Sequence, residues 1–171
     1  MDIIKIFNPE EISETEKATL RHRRAVRTVV FDEESCVALL HITNGDFYEL
    51  PGGGVDTNES YEEGAIRECK EEIGCTIAIQ KPLGIILEYR KRNTMINESH
   101  GFVGKLIDKK GIPILVGDEN DNEKSAVVIW VPLSKAIELM ESIPVSGEIY
   151  QNNSSYRDLE FLKCALLSNA H

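Results

Sequence analysis

Glu68, Glu71 and Glu72 lie at three- and four-residue spacings within GGVDTNESYEEGAIRECKEEIGC, residues 53–75. A helix turning about 100° per residue puts such side chains on one face. Carboxylates held at that spacing repel one another, a cost that makes chemical sense if a cation is gathered in exchange. Oxygen-only donors suit magnesium, which binds through few carboxylates, several waters and substrate phosphates; manganese is the natural substitute. The glycine turn ahead of the helix lets backbone approach an ion closely, and the Gly53 carbonyl is a candidate further donor. Arg67 stands four residues from both Glu63 and Glu71 and is expected to brace either one, a positioning task before a chemical one. Gly64, costly inside a helix by roughly 0.5–1 kcal/mol, would leave room for a metal, a water or a nearby loop. The competing reading is that these acids simply solvate a surface helix.

The elements that must position these groups follow from local signals. Ser60 and Glu63 make a capping box, Tyr61, Ala65, Cys69 and Ile73 recur every four residues as a core-facing stripe, and Gly74 closes the helix. Upstream, RHRRAVRTVVFD and CVALLHI read as hairpin strands joined at Asp32–Glu34, and FYEL leads into Pro51. Downstream, strands are expected around LGIILEY, GFVGKLI and AVVIWVPL, and helices over 133–144 and 156–167. Residues 9–20 read as an acidic, weakly helical or irregular lead-in. Strands interrupted by one helix and closed by two more fit a sheet covered on both faces, in one α/β domain over 1–171 with its core at about 21–145.

Residues 53–75 resemble the signature of Nudix hydrolases, with Gly53, Glu59, Arg67, Glu68, Glu71, Glu72 and Gly74 at that family's spacing. The resemblance implies an α/β/α sandwich with a mixed sheet and magnesium-assisted hydrolysis of a diphosphate linkage. Glu68, Glu71 and Glu72 would then hold metal or activate water, Gly53 would offer its carbonyl, and Glu59 would support loop and helix. It also favours a homodimer. Cys69, Cys75, Asp56 and Asn58 depart from the family's usual residues, changes that small apolar packing and a turn-tolerant asparagine accommodate. The base that takes the proton from water stays open between Glu68 and the loop acids Glu119 and Glu123 of GDENDNE, with Glu119 preferred of the latter two. A catalytically silent nucleotide-binding module, an RNA-cap-processing enzyme and a small-diphosphate enzyme on the same fold are the alternatives.

Candidate substrate contacts are weaker signals. Arg23 and Arg27 share strand parity and could hold phosphate, or stand in salt bridges. Arg90 follows a strand, in a stretch that reads either as a binding loop or as a solvated connection through Asn97, Glu98 and Ser99. His100 could bond a leaving group or a base, and Tyr48 or Phe47 could stack on a base while the other fills the core.

The 171-residue chain carries 29 acidic against 19 basic residues, a net charge of −10, which argues against a general nucleic-acid coat. A phosphorylated small nucleotide would need local help from metal, arginine or backbone amides. The first residues show no basic region followed by an apolar run, and no later stretch approaches membrane-spanning length, so the cytoplasm is the expected location. Cys36, Cys69, Cys75 and Cys164 form no close pair and read as core side chains.

Overall fold

The β-branched run of the basic segment becomes the central strand. The computed structural model describes residues 1–91, 93–113, 126–143 and 155–169. In chain order its elements are β1 (Ile3–Phe7), α1 (Glu14–Lys17), β2 (Arg21–Phe31), β3 (Cys36–Ile42), β4 (Phe47–Glu49), α2 (Tyr61–Ile73), β5 (Ile77–Arg90), β6 (Met95–Leu106), β7 (Ala126–Pro132), α3 (Leu133–Glu141) and α4 (Ser155–Asn169). The strands form one seven-stranded sheet in the order β1-β5-β6-β2-β3-β4, with β7 added on β3. β1 with β5 and β2 with β6 are parallel, the other pairs antiparallel, so the sheet is mixed.

Helices cover both faces. α2 lies over one, where Ala38, Leu40, Cys69, Ile73 and Ile77 pack together. On the other, Met140 of α3 and Phe161, Leu162 and Ala165 of α4 close over Val29, Leu39, Ile86 and Val103. β2 is covered on both sides, and Ala25, Val26, Val29 and Val30 are fully buried. This is the α/β sandwich with a mixed sheet expected from the sequence. The cysteines are free, Cys69 and Cys75 buried and Cys36 and Cys164 half-buried.

Three features differ from the sequence reading. β2 and β3 pair only at Phe31 and Val37 rather than along a hairpin, because the rest of that β2 edge is taken by the segment after β4. Residues 95–100, read as loop, are the first half of β6, since their polar side chains bond one another and the neighbouring strands instead of water. Ahead of the lead-in, which holds the short helix α1, residues 3–7 form a strand the sequence reading did not include, β1, whose Ile3, Ile4 and Ile6 stay exposed on the sheet edge and so show no buried alternation.

On α4, Phe161 is fully buried with its ring against the bare Cα of Gly101. Phe161→Ala should cost about 3–5 kcal/mol of unfolding free energy, read from urea denaturation midpoints. A loss below about 1 kcal/mol would show that α4 contributes little to the core.

Candidate active site

α2 is set by its ends. Ser60 Oγ accepts from Glu63 N at 3.2 Å while Glu63 Oε2 accepts from Ser60 N at 2.9 Å, and Gly74 closes the helix at φ 67°. With Ala65, Cys69 and Ile73 buried against the sheet, Glu68 and Glu72 are turned towards the glycine segment.

That segment runs as an extra strand beside β2. Thr28 N donates to Pro51 O (2.9 Å), Val26 N to Gly53 O (3.0 Å) and Val55 N to Arg24 O (3.1 Å). Gly52, at φ 146°, lies so close to the Val26 carbonyl that a Cβ would collide with it. A Cβ on Gly53 would stand 2.5 Å from Glu68 Oε1. Gly52 N donates to Glu72 Oε2 at 2.7 Å, and Gly54 O accepts from Arg67 Nη2 at 2.8 Å.

Arg67 is the brace of the cluster. It grips Glu59 through two bonds of 2.9 Å each, and its Nη1 donates to Glu68 Oε1 (2.8 Å) and Glu71 Oε2 (3.2 Å). Glu63, the other partner its spacing allowed, is occupied by the helix cap. Gly64 makes room for the loop: a Cβ there would meet Glu59 Oε2 at 3.0 Å and Val55 at 3.2 Å. The bidentate Glu59 bonds, then Glu68, hold Arg67 firmly charged, and Arg67 in turn lowers Glu59. Glu68 is shifted the other way, burial raising it more than Arg67 lowers it. Burial pushes Glu72 up to about 7, against the Gly52 N–H and Arg27.

Glu68, Glu71, Glu72 and the Gly53 carbonyl offer oxygen donors only, the set a hard divalent cation requires. The Gly53 carbonyl keeps a second lone pair beyond its bond to Val26, the bare Cα leaves space beside Glu68, and Glu68 and Glu72 are raised because Arg67 on the one and the Gly52 N–H and Arg27 on the other only partly offset their burial. These residues fit a metal. Among the described residues, the three ligating side chains whose ligand atoms all lie within 4.8 Å are instead Asp32, Glu34 and Cys36. There Asp32 Oδ1 accepts from Glu34 N and Cys36 N, and Oδ2 pairs with Lys110, so the group is a side-chain-closed turn.

Arg23, Arg27 and Arg90 come together on the face covered by α4. Arg23 Nη1 donates to Asn97 Oδ1 (2.9 Å), Arg90 Nη2 to Glu88 Oε1 (2.7 Å), and Arg27 Nε lies 3.5 Å from Asp158 Oδ1. Arg24, of the other parity, crosses to the α2 side, where it lies 4.4 Å over the Tyr61 ring and donates to the Asp56 and Glu59 carbonyls. His100 is also on that side, stacked on Tyr61 at 3.5 Å and bonded to Glu98, so the sheet separates it from Arg23, Arg27 and Arg90. Tyr48 stacks on His41 at 4.7 Å and packs at the α3–α4 core, while Phe47 joins the α2 side. Trp130 is partly buried there, with Lys110 Nζ 4.5 Å over its ring. Glu119 and Glu123 lie outside the described residues.

Sequence reasoning passed over Glu88, Asn97, Arg157 and Asp158, which are 1%, 2%, 1% and 0% exposed. Their signal was a charged or polar residue at a buried-parity position, Glu88 two residues after Ile86 and the Arg157-Asp158 pair beside the apolar stripe of α4.

A mixed sheet between helices, with an arginine-braced acidic helix set against a glycine strand, defines the class of protein. The NUDIX domain model matches residues 21–152, and the chain belongs to the Nudix family. It is 39% identical over 93 residues to Nudix hydrolase 21, chloroplastic, of Arabidopsis thaliana (54% of this chain, 43% of that one). It is 33% identical over 103 residues to a putative 8-oxo-dGTP diphosphatase of Bacillus subtilis (60% and 62%). The matched stretch thus spans 43% and 62% of the length of these two curated relatives. Among solved structures, a MutT protein from Methanosarcina mazei Go1 has TM-score 0.60 at 19% identity, covering 89% of this chain and 98% of its own. An ADP-ribose pyrophosphatase from Streptococcus suis has TM-score 0.55 at 18% identity, covering 87% and 92%. These likenesses speak for the fold.

The raised Glu72 carries a pH signature. Its folded value of about 7 lies above the ordinary 4.5, so the protonated form is bound more tightly by the folded state. The resulting stability is fully present below about 4.5 and is lost as pH rises through about 7. In chelator-treated protein, urea midpoints should therefore fall across that window more steeply for the wild type than for Glu72→Gln. Parallel profiles would mean that Glu72 ionises normally.

Proposed function

We propose that this chain is a magnesium-dependent hydrolase of a P–O–P linkage in a nucleoside diphosphate derivative or nucleoside triphosphate. The observation that carries the reading is the meeting of Glu68 and Glu72 with Gly53 and Gly52 at one strand edge, with arginines beside them. Glu68, Glu71, Glu72 and the Gly53 carbonyl would hold the metal. Bound there, the cation neutralises phosphate charge and lowers the pKa of the attacking water.

The chain's own groups do the rest. Arg67 and Glu59 fix the carboxylates before substrate arrives, so little reorganisation is left for the reaction. The base that takes the proton from water would be Glu68 or one of the loop acids, Glu119 before Glu123. Arg23 and Arg27 hold the substrate's phosphates, Arg90 supports the same wall, and Tyr48 and His100 stay assigned to substrate only as weaker proposals. The names borne by relatives, 8-oxo-dGTP diphosphatase and ADP-ribose pyrophosphatase, suggest the two substrate classes to try first. A homodimer and a cytoplasmic location rest on family resemblance; no helix among the described residues is long and apolar enough to cross a membrane.

A silent nucleotide-binding module is disfavoured by the intact acids, and an RNA-cap enzyme by the lack of a long basic track. Turnover should be measured with magnesium against ADP-ribose, nucleotide sugars, dinucleoside polyphosphates and normal or oxidised triphosphates, with both products identified by mass. Glu68→Gln and Glu72→Gln should each fold and lose about a hundredfold or more in kcat. Wild-type-like turnover by either variant removes that residue from the machinery, and folded wild type that binds nucleotide but cleaves nothing moves the reading to a binding module.

A further inference from the structure

Arg23 is unusual among the arginines of the α4-side wall. Arg90 pairs with Glu88, Arg157 with Glu88 and Asp158, and Arg27 with Asp158, but Arg23 has no carboxylate within salt-bridge distance among the described residues. Among the described residues its side chain donates to the neutral amide of Asn97. Burial, then Arg27, Arg157 and Arg90, push its pKa down, so its cation is under-compensated where it stands beside Gly54. Holding such a side chain still against three like charges requires a support.

That support is traceable atom by atom. Asn97 Oδ1 accepts from Arg23, while its Nδ2 donates to Glu88 Oε2 (2.6 Å) and Ser99 Oγ (3.0 Å). A flipped amide would aim N–H at guanidinium N–H and oxygen at carboxylate, so the network itself fixes the orientation. Glu88 is held in turn by Tyr156 Oη (2.8 Å), Arg157 Nη1 (3.0 Å) and Arg90. Burial alone would raise Glu88, but Arg157 and Arg90 outweigh it and hold its carboxyl at about 2, a permanent anion in the core. The same turn of α4 holds β4 and the residue that leads from it into the glycine strand: Asp158 Oδ2 accepts from Leu50 N (2.8 Å) and Ser155 Oγ donates to the Tyr48 carbonyl (2.6 Å). All these α4 residues lie beyond residue 152, where the family match ends.

We propose that the first turn of α4 is part of the site: through Tyr156 and Arg157 on Glu88, and Glu88 on Asn97, it aims the Arg23 guanidinium at a phosphate of the substrate. Tyr156, Arg157, Glu88 and Asn97 are positioning residues, and Arg23 is the contact. The inference rests on the phosphate-contact reading of Arg23 given above and extends it to a helix outside the family match.

The test is a double-mutant cycle read by calorimetric binding of ADP in chelator, run beside magnesium-dependent turnover by the wild type. Arg23→Ala should weaken ADP binding about tenfold, the scale of one hydrogen bond to a charged group. Asn97→Ala and the near-isosteric Tyr156→Phe should each weaken it about three- to fivefold in the wild type and not at all in the Arg23→Ala background. A merely structural role would lower affinity equally in both backgrounds, which overturns the proposal. So does ADP binding that ignores Arg23, or that is absent. Should Asn97→Ala unfold, Tyr156→Phe alone decides. Coupling to Arg23 without turnover of any nucleotide would uphold this inference and sink the hydrolase reading; turnover without coupling would do the reverse.

Discussion

The backbone pairing of Pro51–Val55 with β2 is the constraint on which the rest of the molecule depends. β2 gives one edge to β6 along its whole length, and its other edge reaches β3 only at Phe31. The glycine strand fills the remaining gap, and each glycine contributes a different atom. Gly52 gives its N–H to Glu72, Gly53 its bare Cα to Glu68, and Gly54 its carbonyl to Arg67. Side chains at 52 or 53 would meet the Val26 carbonyl or the Glu68 carboxylate, so pairing and site stand or fall together.

Around that seam the charges are sorted by element. Arg67, with Glu59 as its anchor, accounts for the near side of the acidic helix, and a network of this kind is stiffer than separate surface pairs. Glu72 has no bond to Arg67, and the Gly52 N–H and the Arg27 charge do not offset its burial, so its ionisation is costly. On the α4 side the order reverses. Arg23, Arg27, Arg90 and Arg157 stand against the buried acids Glu88 and Asp158, leaving cationic excess next to the acids of α2.

How far this was legible in the sequence depended on whether each signal was local. The bounds of α2 were readable from Ser60, Glu63 and Gly74 because caps are written in adjacent residues, and the convergence of Glu68 and Glu72 on the glycine turn followed from spacing. The partner of Arg67 was not, since both Glu63 and Glu71 met the spacing rule and Glu59, from the loop, took the strongest hold. The start of β6 was hidden because Asn97 and Ser99 look like loop residues until Glu88 and Arg23 are brought to them across β5 and β2. Arg157 and Asp158 were hidden for the same reason: nothing near them in sequence says that a strand carboxylate and the Leu50 amide await them.

Strand parity explains why one basic cluster does different jobs. The register that sets Arg23 opposite Asn97 and Val26 opposite His100 sends odd-numbered β2 residues to the α4 side and even-numbered ones to the α2 side. A slip of one residue would put Arg24 and Thr28, or His22 and Val26, where Arg23 and Arg27 stand and break up the cationic wall. That register is buried on both faces and so is strongly specified. A chain of net charge −10 can thereby present cationic excess at one place without being basic overall. On the proposed reading, the acids of α2 bind cation and the wall binds anion, and a diphosphate with its metal matches both signs at once.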